Sequence, residues 1–164
     1  MEAELSSVSV YMPTPKRIDL EKLLPNTGGL FAPNVFGKLP KIARSDFEKA
    51  GKCIAFELPT VAAFHILRAT ESNLRYYYKQ RIRQKRIASL NWGSMVEDLR
   101  NRPMTKKYDL LNDRLDNIRK SFGNPSHHSK AVYNIHEVES LWSLCVDANN
   151  RMIQTLRRND KIDH

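Results

Sequence analysis

The feature that most constrains the fold is a helical spacing of apolar residues, which is clearest near the C-terminus. Apolar side chains recur there three or four positions apart, at Val138, Leu141, Trp142, Cys145, Ala148, Met152 and Leu156. With 3.6 residues per turn, that spacing places all of them on one face of an α-helix. The segment from Ile135 to Arg158 is therefore predicted to be an amphipathic helix that buries one side.

The same spacing recurs upstream and predicts four more helices. These are expected at Pro40–Phe56, Thr60–Arg83, Ser94–Asn101 and Lys107–Phe122. No segment alternates apolar and polar residues in the way that a half-buried β-strand does. Short connections between consecutive helices favour antiparallel packing, so we expect an all-α, antiparallel bundle of four or five helices.

Residues 1–38 differ in composition from the rest of the chain. They contain four of the eight prolines, and only Ile18–Leu24 has the spacing of a short helix. This segment is predicted to be an extended N-terminal arm. Its apolar residues are expected to anchor it on the domain or on a partner, and they include Leu30, Phe31, Val35 and Phe36. Residues 39–158 then form the helical bundle, and residues 159–164 are expected to be a disordered tail.

The charge of the chain points to an anionic partner. Lys and Arg number 27 against 18 Asp and Glu, which leaves a formal net charge of +9. Such a balance favours nucleic acid over a membrane as the partner. The acidic start has no hydrophobic run, and no apolar run approaches the ~20 residues that span a bilayer. We therefore expect a cytoplasmic protein without a membrane segment, in which Cys53 and Cys145 are reduced core thiols.

A basic run from Lys79 to Arg86 follows three consecutive tyrosines. Five of its eight residues are cationic. Cations beside aromatic rings suit phosphate contact and base stacking. The predicted nucleic-acid-binding residues are Tyr78, Arg81, Arg83, Lys85 and Arg86. The alternatives are a solvated helix end and a flexible connector.

A polar loop at residues 121–128 separates the last two predicted helices. Gly123 suits a helix C-terminus, and Pro125 cannot continue the helix. His127 and His128 follow directly. The loop is either a place for chemistry or a solvated turn between two helices.

Two segments together resemble the HEPN superfamily, the helical bundles of prokaryotic toxins and defence ribonucleases. Residues 57–71 end in Phe-His-Ile-Leu-Arg-Ala-Thr-Glu, which is similar to the family's long second helix. Residues 122–128 read Phe-Gly-Asn-Pro-Ser-His-His, which resembles the family's Asn-Pro-x-x-His loop. The resemblance implies a homodimer in which the loops of two subunits meet. It also implies RNA cleavage that needs no metal or other cofactor.

The resemblance assigns roles to particular residues. His128 is implied as the general acid and base, and Asn124 as the residue that orients either the histidine or the phosphate. Arg68, Glu71 and Arg119 are implied as supporting groups. In metal-free cleavage the neighbouring 2′-hydroxyl of the RNA attacks the phosphate, and a guanidinium stabilises the charge that develops. This chain departs from the family pattern, because Gly123 stands where that arginine is expected.

Three functions are therefore weighed for the chain. The first is a dimeric RNA- or nucleotide-binding module of a prokaryotic phage-defence or toxin–antitoxin system, weakened in catalysis by Gly123. The second is an active metal-independent endoribonuclease that leaves 2′,3′-cyclic phosphate ends. The third is a structural helical bundle that mediates protein–protein interaction. An antitoxin or another defence protein is an expected partner of the first two.

Overall fold

A computed structural model describes residues 16–83, 85–103, 108–122 and 132–159, and its regular structure is helical throughout. The α-helices are α1 (Leu20–Leu23), α2 (Lys41–Ala55), α3 (Pro59–Arg81), α4 (Trp92–Asn101), α5 (Asp109–Phe122) and α6 (Ile135–Asn159). Two short 3-10 helices, Thr27–Leu30 and Phe36–Lys38, lie between α1 and α2. The prediction of an all-α chain is confirmed for these residues. None of the helices described is both long enough and apolar enough to cross a membrane.

A tight turn joins α2 to α3 and makes them a hairpin. Glu57 adopts a left-handed conformation, with φ at 57°. The Leu58 amide then donates 2.8 Å back to the Cys53 carbonyl oxygen, which closes the end of α2. Pro59 opens α3, where its fixed φ suits a first turn. Because only three residues separate the two helices, they pack closely and run antiparallel.

Helix α3 also packs against α6, and these two helices run parallel. Near their starts, the Tyr133 amide donates to Thr60 Oγ1 at 3.3 Å. Further along both helices, Asn73 Nδ2 donates to Asn149 Oδ1 at 2.8 Å. From the first contact to the second, the residue number rises along both helices, so the two helices point in the same direction. The predicted antiparallel packing thus holds for the α2–α3 hairpin, whereas the parallel pair of α3 and α6 departs from it.

The N-terminal arm is not extended over its described residues, which differs from the prediction. The short helix expected within Ile18–Leu24 is present as α1, and the two 3-10 helices follow it. Aromatic contacts anchor the arm on the bundle. The ring centres of Phe31 and Phe47, which lies on α2, are 4.9 Å apart. The ring centres of Phe47 and Trp142, which lies on α6, are 5.6 Å apart. Helical turns let the arm bury Val35 as well, because they satisfy its backbone groups locally.

Candidate functional site

The net positive charge of the chain is concentrated on the α2–α3 hairpin and the connector that follows it. Residues 38–86 contain twelve Lys and Arg against four Asp and Glu, a net +8 out of +9 for the whole chain. The rest of the chain is therefore almost balanced. An anionic partner would be drawn to this part of the surface.

An open groove of about 590 Å³ lies on this hairpin, between the start of α2 and the C-terminal half of α3. The residues that line it are Pro40, Ile42, Arg68, Glu71, Ser72, Arg75, Tyr76 and Lys79. Those from α3 recur three or four positions apart, so one face of the helix supplies them. Three of them are cationic and one is aromatic.

Arg68 is held at the edge of this groove by Asp46 of α2. Its Nε donates to Asp46 Oδ2 at 2.7 Å, and its Nη2 donates to Oδ1. The Asp46 side chain is 2% exposed, whereas that of Arg68 is 48% exposed. Burial alone would raise the pKa of Asp46, but the hydrogen bonds and charges of Arg68 and His65 outweigh it and hold that pKa below its ordinary value. The pair therefore fixes one edge of the guanidinium and leaves its other N–H groups for a ligand.

His65 shares the same carboxylate. Its Nδ1 lies 2.9 Å from Asp46 Oδ1, and its side chain is 17% exposed. A carboxylate at this distance favours a proton on Nδ1, which donates to Asp46 Oδ1. Sequence reasoning missed Asp46, although an aspartate within the apolar stripe of α2, next to Phe47, is an unusual position that could have indicated it.

Glu71 and Arg75 form the second ion pair of the groove. Arg75 Nη2 donates to Glu71 Oε1 at 2.9 Å. Arg68, Glu71 and Arg75 follow one another at three- and four-residue spacing on α3, and all three line the groove. Arg68, however, pairs with Asp46 on another helix rather than with Glu71. A pair as exposed as Glu71–Arg75 contributes well under ~1 kcal/mol, so Arg75 is easily recruited by a stronger anion.

Tyr78 does not belong to a nucleic-acid surface, and its prediction was wrong. It is completely buried, and its hydroxyl donates to Asp98 Oδ2 at 2.6 Å. Burial, followed by the bond to Asp98, raises its pKa. Because consecutive residues point about 100° apart around a helix, the three tyrosines cannot share a face. Tyr76 is the one that lines the groove, and it is 38% exposed.

The basic run leaves the helix after Arg81, and its cations have different surroundings. The Arg81 guanidinium carbon lies 4.7 Å from the centre of the Tyr108 ring. Arg86 donates to the carbonyl oxygens of Ile82 and Lys79, which stabilises the C-terminal end of α3. Arg83 and Lys85 are exposed. The run is thus partly used to end a helix, and it does not form a continuous cationic face.

Arg119 lies in a different cluster, between α4 and α5. It donates to Asp116 Oδ1 at 2.9 Å, and Asp116 also accepts from Arg100 at 3.1 Å and pairs with Lys120 at 2.7 Å. Burial opposes ionisation of Asp116, but Lys120, Arg119 and Arg100 together hold its pKa far below its ordinary value. Arg119 therefore belongs to a network in which Arg100 joins α4 to Asp116 of α5, and it does not line the groove with Arg68 and Glu71.

The predicted loop residues Gly123, Asn124 and His128 lie outside the described residues, as does the tail beyond Asn159. Within the described ranges, no three His, Cys, Asp or Glu side chains are grouped in a way that could hold a metal ion. Comparisons of the chain with protein-family models, with curated proteins and with solved structures find no match.

Proposed function

We propose that this chain is an RNA- or nucleotide-binding helical module that binds phosphate groups in the groove of the α2–α3 hairpin. The observation that carries the proposal is the concentration of charge, a net +8 within residues 38–86. In its finer form the proposal is a HEPN-like homodimer of a prokaryotic defence or toxin–antitoxin system, and this form rests on the sequence resemblance.

The chemistry of the groove supports phosphate binding. Guanidinium groups bind phosphate oxygens through two parallel N–H bonds, and Arg68 is already oriented by Asp46. Arg75 and Lys79 follow about two and three turns further along the same face of α3. Tyr76 adds an exposed ring on which a base can stack. Cations and an aromatic ring on one rigid helix form a surface suited to a nucleotide chain.

The positions of the arginines favour phosphate binding over RNA cleavage. A ribonuclease centred on His128 needs a cation beside the scissile phosphate, and Gly123 does not supply one. Arg119 is held by Asp116 in a separate cluster, so of the two supporting arginines only Arg68 lies in the groove. The endoribonuclease remains the alternative proposal. In that case cleavage would persist in EDTA and would be lost in His128→Ala.

The test measures the affinity of the full chain for a single-stranded RNA, by fluorescence anisotropy over a range of salt concentrations. The variant is Arg75→Gln/Lys79→Gln, which removes two groove cations and leaves the Arg68–Asp46 pair intact. Each lost phosphate contact flattens the plot of log K against log salt by about 0.7, so the double variant should be flatter by about 1.4. Affinity at low salt should fall correspondingly.

The matched control removes two cations from other faces, with Lys22→Gln on α1 and Arg151→Gln on α6. Net charge is then equal in the two variants, and the control should keep the salt dependence of the parent chain. Equal behaviour of the two variants would reduce the groove to an ordinary solvated surface. A parent chain that shows no RNA affinity at low salt would overturn the proposal.

A further inference from the structure

A second surface lies at the turn between α2 and α3 and adjoins the groove at Arg68, whose guanidinium carbon lies 5.5 Å from the centre of the Phe64 ring. Four large apolar side chains are exposed there within nine residues: Phe56 at 45%, Leu58 at 51%, Val61 at 47% and Phe64 at 62%. Single exposed apolar residues are ordinary, but a contiguous group of this kind marks an interaction site. We call these four residues the turn patch.

The turn patch is mounted on a rigid part of the molecule. The opposite side of the same turns of α3 is completely buried, at Ala62, Ala63 and Ile66. The turn itself is closed by the hydrogen bond from Leu58 to Cys53. A partner would therefore meet a preformed surface and would not have to order it on binding.

Two exposed lysines of α2 lie level with the turn patch. Asp46 contacts both His65 and Arg68, which sets the antiparallel register of the two helices. In that register Lys49 lies level with Phe64 and Lys52 level with Val61, and both lysines are exposed. The acidic residue of the turn, Glu57, is paired with Lys16 at 2.6 Å. The apolar centre thus has a cationic border.

We propose that the turn patch docks an acidic amphipathic helix of a protein partner. Val61 and Phe64 of α3, together with Leu58 directly before its first turn, form a ridge that continues to Arg68. Its length of about 15 Å would be covered by three turns of a partner helix. Apolar residues of the partner would cover the ridge, and its carboxylates would meet Lys49 and Lys52.

Charge separates this partner from the other candidate occupants. A second copy docked through the same patch would bring its own lysines against Lys49 and Lys52, which is unfavourable. Nucleic acid would gain the lysines and could stack on Phe64, but Leu58 and Val61 offer no flat ring for a base. An acidic helix alone satisfies both the aliphatic centre and the cationic border.

The test uses three synthetic peptides, each fluorescently labelled and titrated with the full chain at about 50 mM salt. One has leucines at helical i, i+3, i+4 and i+7 spacing flanked by glutamates, one carries lysines in place of the glutamates, and one is a scrambled form of the first. The glutamate peptide should bind at least about tenfold more tightly than either of the others, because only it matches both the ridge and the border.

Variants assign that binding to the patch. Val61→Ser/Phe64→Ser should weaken it about tenfold or more, since a few central apolar anchors dominate such interfaces. Lys49→Glu/Lys52→Glu should abolish the preference for glutamate over lysine. Leu110→Ser removes an apolar side chain that is 60% exposed on α5. It should change neither the affinity for the glutamate peptide nor the preference for glutamate over lysine. Melting temperatures of all variants establish that they are folded.

Several outcomes would overturn the inference. These are equal binding of the scrambled peptide, binding that ignores Val61 and Phe64, and no binding of any peptide. RNA or anionic phosphatidylserine vesicles could also bind the chain in place of the peptides. If only one of these ligands binds, and its binding is weakened by the patch variants, then that ligand is the occupant of the patch and the protein helix is not. Loss of RNA affinity in the groove variant would leave this inference untouched, because Arg75 and Lys79 lie outside the patch.

Discussion

Asp46 shows how one residue can organise a surface from beneath. It lies on α2 with almost no exposure, yet it fixes Arg68 and His65 of α3. A buried, ionised carboxylate is costly unless it is paired and hydrogen-bonded. Here two side chains from the neighbouring helix provide this pairing, so the cost of burying the charge is offset and the groove gains an oriented guanidinium.

Replacing Asp46 by Asn should destabilise the fold by about 1.5–3 kcal/mol near neutral pH, because hydrogen bonds to a charged group are lost in a buried site. The pKa of Asp46 is lower in the folded chain than in the unfolded one. Its contribution is therefore present above the unfolded pKa of ~3.9 and is lost as the pH falls through the depressed folded value.

Urea unfolding of parent and Asp46→Asn chains at several pH values checks this. The difference in unfolding free energy should be largest near neutral pH and should shrink in acid below about pH 4. A difference that stays constant down to acid pH would mean that Asp46 contributes by its shape and not by its charge.

Gly51 is the residue at which a single methyl group should matter most for the arm. A Cβ there would lie 2.5 Å from the Leu23 carbonyl oxygen of α1, which is backbone and cannot rotate away. Gly51→Ala should therefore cost about 1–3 kcal/mol through overpacking or displacement of α1. Thermal melting measures the loss.

Gly37→Ala is the matched control for that substitution, because a Cβ at Gly37 meets nothing within 4 Å. An exposed change of this kind should stay within about 0.5 kcal/mol of the parent. A Gly51→Ala chain as stable as the Gly37→Ala chain would show that α1 does not need this close approach.

At the scale of helices, α6 begins with a reciprocal cap. The Glu137 amide donates to Asn134 Oδ1 at 2.9 Å, and the Asn134 amide donates to Glu137 Oε2 at 2.8 Å. Two amides that have no partner within the helix are thereby satisfied. The carboxylate of Glu137 also lies favourably near the positive end of the helix dipole.

Asn134→Ala should lower stability by about 1 kcal/mol, since it removes this capping side chain. Asn117→Ala offers the comparison, because Asn117 is an exposed residue within α5, where alanine is the better helix former. It should be neutral or slightly stabilising. Chemical denaturation of both variants decides, and equal stabilities would argue that the cap contributes little.

At the scale of the molecule, charge and apolar surface are both uneven. The hairpin of α2 and α3 carries the cationic groove at one end and the turn patch at the other. The opposite side of α3 packs against α6 through a buried network, in which Asn149 donates to Thr70 and accepts from Asn73. A rigid core thus supports a surface on which the cationic side chains of the hairpin repel one another.

The parent chain should therefore become more stable as salt is raised from about 20 mM to about 200 mM, because the Debye length shortens to below ~10 Å and repulsion among the hairpin cations is screened. Melting temperature is expected to rise by a few degrees. The Lys49→Gln/Lys52→Gln variant should be more stable than the parent chain at low salt, and its melting temperature should rise less when salt is added. Lys22→Gln/Arg151→Gln should keep the parental response, since both residues have acidic neighbours.

The sequence by itself determined the helices and the faces that they bury. Periodicity is a local property, and the predicted Pro40–Phe56 segment agrees with the observed Lys41–Ala55 to within a residue at each end. Local chemistry also located the ends, as at Pro59. The concentration of positive charge could likewise be counted from the sequence alone.

Only the tertiary structure decided which side chains meet. Arg68 pairs with Asp46, 22 residues away on another helix, rather than with its helical neighbour Glu71. Tyr78 is buried while Tyr76 is exposed, because the packing of α3 determines which of its faces is covered. Such outcomes depend on the register and direction of packed helices, which no periodicity within one segment contains.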